Sequence, residues 1–280
     1  MGYKTKVKLV NALFSVILVF LSVIYMAPIF IVLMNSFKGK FFISEAPFRL
    51  PTKETFIGLE NYVSGLQKTN FLNAAGWSLF ITIGSVACII IFTSMTAWYI
   101  TRIKNKISSA LYYLFTLSMI VPFQMVMYTM SKMANMLHLD NPAGIIVIYL
   151  GFGTGLSVFM FSGFVKSIPL ELEEAAMIDG CSFIKTFFLV VMPVLKPIIV
   201  TVAILNTMWI WNDYLLPYLV IGMDYRTIPI AIQYLKGGYG SIDMGAMMAM
   251  LVLAIIPIVI FYITCQKYII EGVIAGAVKG

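Results

Sequence analysis

Long runs without a single charged side chain constrain this chain before anything else does. They occupy Leu9–Phe37, Thr69–Thr101, Ile107–Ser131, Asn141–Val165 and Met244–Gln266; a sixth, Pro197–Met223, is broken only by Asp213. The hydrocarbon layer of a bilayer is about 30 Å thick, which about 20 helical residues cross. Each run meets that length. Each is also continuously apolar rather than alternating, which argues against a membrane β-barrel. Only 11% of the 280 residues are charged and 61% are hydrophobic, whereas a soluble domain carries about 25% charged residues. The expected fold is an all-α polytopic membrane protein with six transmembrane helices.

The net charge of +7 does not imply a nucleic-acid partner, because the Lys and Arg residues are scattered through the links between runs. They bear on orientation instead. With the N-terminus inside, Lys4, Lys6, Lys8, Arg102, Lys104, Lys106, Lys166, Lys185, Lys196, Lys267 and Lys279 fall on the inner side, 11 of the 19 basic residues. Five of the others sit in one long outer segment, Lys38 to Asn70, and long loops count little toward orientation. Both termini are therefore expected in the cytoplasm. The Lys-rich start followed by an apolar run imitates a signal peptide. That run is too long and lacks a small-x-small cleavage pattern, so it reads as a retained first span. Cys88, Cys181 and Cys265 have no paired spacing and read as reduced thiols.

The longest polar interruption in the second half is PLELEEAAMIDGCSFIKTFFLVVMPVLKP, Pro169 to Pro197. It reads as two short helices around a sharp turn. Pro169 suits a first helical position, and Glu171, Glu173 and Glu174 then lie where the helix dipole favours negative charge. Ala175 and Ala176 keep one face small. Asp179-Gly180 is a stop-and-turn signal, and Ser182 is placed to cap a second helix. Phe183, Phe187, Val190 and Val191 form its apolar stripe, and Pro193 and Pro197 are expected to end it.

Glu174-Ala175-Ala176, Gly180 and the Met192-Pro193 pair resemble the EAA loop of ABC importer permeases. The fuller EAAMIDG string resembles the carbohydrate branch, and is similar to the second permease of maltose-type systems. The strings SFKGK and FIGLENY in the outer segment, WNDYLLP at Asp213 and GVIAGAVKG at the end continue the resemblance. Where relatives often have Asn-Ser at the start of the second span, this chain has Gly76-Trp77-Ser78. The resemblance implies a type I importer permease fold. Its first span and external loop would cover 1–69, and a five-helix core 70–267 with a cytoplasmic coupling loop at 166–197. A cytoplasmic tail would follow at 268–280. It also implies that Glu171, Glu174, Ala175, Ala176, Asp179, Gly180, Phe183, Phe187 and Pro193 dock on an ATPase, with Gly276, Lys279 and Gly280 reaching it from the tail.

Asn206, Trp209 and Asp213 are spaced i, i+3, i+7 and share a helical face. A charge at mid-bilayer costs about 2.5–3.5 kcal/mol on insertion scales, so Asp213 should not face lipid. Two readings stand open: this face, with Gln124 of the third run, lines a substrate path, or Asp213 caps and pairs locally. Gly151, Gly153 and Gly155 look like a nucleotide loop only superficially, since no strand precedes them. They read instead as small residues for close helix packing. His138 reads as solvated.

No nucleophile–base set, metal cluster or phosphate loop is apparent, so this chain is expected to catalyse nothing and to hold no cofactor. The resemblance implies a permease subunit of an ATP-driven importer of oligosaccharides or related carbohydrates, in a bacterial inner (plasma) membrane. ATP-Mg would sit in two copies of a partner ATPase. The other partners would be a homologous second permease subunit and an extracellular solute-binding protein. An ion-coupled secondary transporter is the alternative, though it needs several buried acids or unwound helix pairs.

Overall fold

In the computed structural model residues 3–235 and 243–277 are described, and they are nearly all helical. In chain order the helices are α1 (Tyr3–Asn35), α2 (Lys40–Glu45), α3 (Glu60–Thr69), α4 (Phe71–Arg102), α5 (Lys106–Ser118), α6 (Phe123–Met136), α7 (Pro142–Val165) and α8 (Glu171–Ile178). There follow α9 (Phe183–Thr186), a π-helical turn (Phe187–Val191), α10 (Met192–Val194), α11 (Lys196–Asn212), α12 (Leu215–Val220), α13 (Ile228–Gln233) and α14 (Met244–Ala277). Lys38 and Phe56 form one isolated antiparallel bridge.

Among the described residues, four helices are long and apolar enough to cross a membrane unbroken: Asn11–Asn35, Phe71–Arg102, Pro142–Val165 and Met244–Lys267. Two more spans exist only if bent pairs count as one. α5 and α6 meet at 106°, and Phe183–Val194 meets α11 at 79°. The third apolar run is therefore not a straight helix. The 13 residues of α5 rise about 20 Å, short of the hydrocarbon thickness. The chain turns before Pro122, because proline disfavours helix in the residue that precedes it. The sixth run is split too: α11 stops at Asn212 and α12 is a separate short helix.

The chain forms two compact units, one of residues up to Phe71 with Ile232–Ile256, the other of Leu72–Ala231 with residues from Pro257. In the first, the strings SFKGK and FIGLENY meet each other. Asn61 is buried and its Nδ2 donates to the carbonyls of Ser36 and Lys38, both at 2.8 Å. The Ser36 and Tyr62 hydroxyls bond at 2.7 Å, and Lys38 Nζ donates to the Ala46 carbonyl at 2.9 Å. α3 then lies close on α14: a Cβ at Gly65 would come 2.7 Å from Met250 Cε, and one at Gly245 would come 2.2 Å from Asn61 Oδ1. α1 buries only its last turn, at Met34 and Asn35; its large apolar side chains before that, among them Leu13, Phe20 and Tyr25, are exposed.

The second unit is built around α7, which buries Ile145, Tyr149, Val158, Phe161 and Val165 completely. Asn141 caps it, its Oδ1 accepting from Ala143 N and Gly144 N, and Pro142 opens the first turn. Apolar side chains gain little by leaving lipid tails for each other, so packing in a bilayer depends on close approach. Gly153 supplies it toward α4 and α11: a Cβ there would lie 2.5 Å from Ile89 Cδ1 and 3.0 Å from Asn206 Oδ1. Gly155 does so toward α5, 2.8 Å from the Phe115 carbonyl. Gly151 has open space around it, so of Gly151, Gly153 and Gly155 only the last two serve packing. Trp77 packs edge-on against Tyr225 at 5.1 Å, and the Ser78 hydroxyl accepts from Ile228 N at 2.8 Å. The Gly76-Trp77-Ser78 segment thus anchors the start of α13.

Candidate functional site

The polar interruption after α7 folds from local rules. Leu170, not Pro169, starts the turn: its carbonyl accepts from Glu173 N and Glu174 N, which puts Pro169 just ahead of α8 rather than at its first position. At the other end Gly180 N donates to the Met177 carbonyl and Cys181 N to the Ala176 carbonyl, and Gly180 has φ +87°. This is a Schellman closure, which satisfies carbonyls that a helix end leaves orphaned. A Cβ at Gly180 would meet no atom within 4 Å, so glycine is required there by conformation and not by space. Ser182 caps α9 by accepting from Lys185 N.

Pro193 does not end this helix. The turn before it widens to π geometry at Phe187–Val191, where Met192 N reaches the Phe187 carbonyl five residues back. A widened turn accommodates a residue that lacks an N–H. Pro197 likewise opens α11, in its first turn, where the missing N–H costs nothing.

What holds this hairpin is a buried ion pair that the sequence pattern does not single out. Glu173 is 2% exposed. Its Oε1 accepts from Arg102 Nη2 at 2.6 Å and Nε at 2.9 Å, and its Oε2 from Trp98 Nε1 at 2.9 Å. Arg102 Nη2 also donates to the Ile168 carbonyl at 2.9 Å. Trp98 stacks on Phe183, ring centroids 4.1 Å apart, and leans on Phe187 at 5.4 Å. One turn at the end of α4 therefore grips both arms of the hairpin. Breaking a buried pair from one side costs about 3–5 kcal/mol, because the remaining charge stays buried without a partner. The only sequence signal is spacing: Trp98 and Arg102 are i, i+4 on α4, and Glu173 and Ala176 are i, i+3 on α8.

The other residues of the hairpin sort by exposure. Ala176 and Phe187 are buried against the unit, whereas Glu171, Glu174, Ala175, Asp179, Gly180, Phe183 and Pro193 are exposed. Beside the turn, Ile178 is 86% and Ile184 62% exposed. The tip thus carries uncovered apolar side chains beside the exposed Asp179, while the base is pinned. Of the tail residues, Gly276 falls within α14; Lys279 and Gly280 lie outside the described residues, as do Lys236 and Gly237–Gly240, which precede α14 in sequence.

The second group of sequence candidates surrounds the break after α11. Asp213 Oδ1 accepts from Leu215 N at 3.0 Å and Leu216 N at 3.3 Å, capping α12. Its Oδ2 accepts from the Tyr149 hydroxyl at 3.1 Å. Trp209 meets the Tyr149 ring edge-on at 5.4 Å and is 40% exposed. Asn206 is 5% exposed and donates to Ser157 Oγ and the Val202 carbonyl. It sits in the α7–α11 seam. Gln124, one residue into α6, is exposed. Oδ1 of Asp213 is thus engaged by the turn that follows it and Oδ2 by Tyr149 of α7, and the structure does not gather all four residues on one open surface.

Residues 89–274 match the family model of the binding-protein-dependent transport system inner membrane component. The chain is 40% identical over 275 residues to a probable starch degradation products transport system permease protein of Thermoanaerobacterium thermosulfurigenes, covering 98% of this chain and 99% of that one. It is 34% identical to a multiple sugar-binding transport system permease protein of Streptococcus mutans, covering 92% and 93%. Its fold superposes with TM-score 0.79 on a chain of a bacterial ABC transporter involved in the import of the acidic polysaccharide alginate, at 21% identity and covering 96% and 99%. This chain belongs to the family of binding-protein-dependent transport system inner membrane components.

Proposed function

We propose that this chain is the permease subunit of an ATP-driven importer of oligosaccharides or related carbohydrates in a bacterial inner membrane. The substrate class is supported by the relatives, which are named for starch degradation products and for multiple sugars. The observation that carries the coupling role is the α8–turn–α9 hairpin, pinned at its base by Glu173 and Arg102 and bare at its tip. Exposed Leu172, Ala175, Ile178 and Ile184 form an apolar patch of the kind that marks an interaction surface. In this reading the patch docks in the cytoplasm on one of two copies of an ATPase, which bind ATP-Mg. A homologous second permease completes the pathway, and an extracellular solute-binding protein delivers the sugar. Trp209, Asp213 and Gln124 border the path. Coupling is a difference in docking free energy between two states of the assembly, and a stiff hairpin passes it on as a switch between discrete packings.

The hairpin residues divide into a test. Ala175→Trp adds bulk on the exposed face and leaves the base intact. Gly180→Val forces a β-branched side chain into positive φ, which L-residues resist by about 1–2 kcal/mol. Both variants should insert normally, lose co-purification of the ATPase chain and lose ATP-dependent sugar uptake in proteoliposomes. Undiminished co-purification and uptake in both, or uptake by the wild type that needs no ATP, overturns the reading.

A further inference from the structure

The stretch that follows α1 belongs neither to the hairpin nor to the break after α11, and it carries rings that nothing in the chain covers. α2 turns Ile43 inward and leaves Phe41 73% exposed, with Phe42 beside it. Just beyond α2, Phe48 is 79% exposed and Leu50 is exposed too. Single apolar side chains on a surface need no account, but a group of them marks a contact.

What they contact follows from how the stretch is tied down. The span of α1, Asn11–Asn35, has 25 residues. They rise about 37 Å against a hydrocarbon layer of about 30 Å, enough to carry Asn35 into the headgroups. Asn35 is buried, and its Nδ2 donates to the Pro47 carbonyl at 2.8 Å. Lys38 is buried as well, and its Nζ donates to the Ala46 carbonyl at the C-terminal end of α2, where the helix dipole favours a cation. The chain therefore leaves the end of the span, forms α2 and is stapled back to that same end by two side chains. Phe48 is the next residue after Pro47, so its backbone is held at the level of Asn35.

The charges suit that level. Lys40 stands 5.1 Å from the centre of the Phe41 ring, and Arg49 is exposed between Phe48 and Leu50. Glu45 is the one acid from position 38 to 53. Lys and Arg lay their stems along apolar surface while their heads reach polar groups, and segments that lie in the membrane interface combine such residues with Phe and Leu. A soluble partner would have to reach these rings at headgroup depth, which favours lipid as the occupant. We propose that residues 40–50 lie in the headgroup layer at this end of α1. Phe41, Phe48 and Leu50 sit among the upper acyl carbons, Lys40 and Arg49 sit on lipid phosphates, and the stretch sets the depth of α1 in the bilayer.

The inference needs only that α1 crosses a bilayer, so it fails separately from the transport reading. The test is photo-crosslinking of the full chain in cell membranes, with its partner subunits co-expressed. The photoreactive residue p-benzoylphenylalanine replaces Phe41, Phe48 or, as the reference, the exposed Glu54 of the same stretch. All three side chains are exposed, so the larger ring displaces nothing, and an unchanged thermal midpoint checks the fold. Taking a Phe-sized ring out of water favours lipid by at least about tenfold, so phospholipid adducts at positions 41 and 48 should exceed those at 54 by about that factor. Phospholipid adducts no more frequent at 41 and 48 than at 54 overturn the proposal. So do adducts at 41 and 48 to a protein chain alone, which would assign the rings to a binding protein or a second permease.

Discussion

Two acids of the larger unit, Glu173, which is buried, and Asp213, which is half-buried, solve the same problem in opposite ways. Glu173 keeps its charge by facing a cation: Arg102 holds one oxygen twice and Trp98 the other. Asp213 has only neutral donors, two backbone N–H groups and a phenol. The first arrangement joins elements 71 residues apart in sequence and fixes how a hairpin meets a helix. The second caps the helix that follows and touches only one distant residue. An acid paired to a cation ties parts together, whereas an acid held by N–H groups punctuates the chain.

Removing the cation should produce the largest effect. Arg102→Met strands the Glu173 carboxylate and should destabilise the solubilised chain by about 3–5 kcal/mol, read as a fall in the thermal midpoint. Pairing it with Glu173→Leu should return much of that loss, since apolar replacement of a whole buried pair is often neutral or stabilising. If the double variant is as unstable as the single one, Trp98 and the Ile168 carbonyl, not the ion pair, dominate the contact. Uptake should stay low in the double variant, because the hairpin regains stability without regaining its fixed seat on α4.

Asp213 should give less. Asp213→Ala removes a cap and should cost about 0.5–2 kcal/mol. Asp213→Asn keeps an acceptor for Leu215 N and Leu216 N and should cost less than Ala. Thermal midpoints of the two variants check this order. A loss in Asp213→Ala as large as in Arg102→Met would erase the contrast between the two acids.

The smallest effect belongs to a third acid, Asp243 of the other unit, which pairs with Lys68. Partial burial pushes its carboxyl up, but Lys68, the Ala246 N–H and more distant Lys40 outweigh that and leave it below the usual carboxylate range. Its contribution is therefore present at neutral pH and is lost as acid takes the medium below about pH 4. Lys68 is more than half exposed, so solvent screening holds the contribution to under about 1 kcal/mol. Lys68→Met should flatten the acid limb of the stability curve by that amount; an unchanged limb would show the pair to be inert.

What was legible in the sequence followed the range over which each rule acts. Apolar length is a sum over neighbours, so the runs located every long helix. Direction is not part of such a sum, and the 106° bend before Pro122 went unread. The Asp179-Gly180 turn was legible because positive φ is a demand of one residue. Pro193 misled because its cost was absorbed by a π turn in the residues before it, an accommodation no local propensity reports. Glu173 looked like one of three equivalent acids in a first turn, and only packing against Trp98 and Arg102 separates it from Glu171 and Glu174.

The span between positions 102 and 173 bears on protein engineering. Any chimaera that takes α4 from one permease and the hairpin from another has its crossover inside that interval. It inherits half of a matched lock from each parent. Swaps with both junctions before Trp98 or both after Phe183 keep the halves together, and those are the cuts at which domain shuffling in this chain should yield assembled protein.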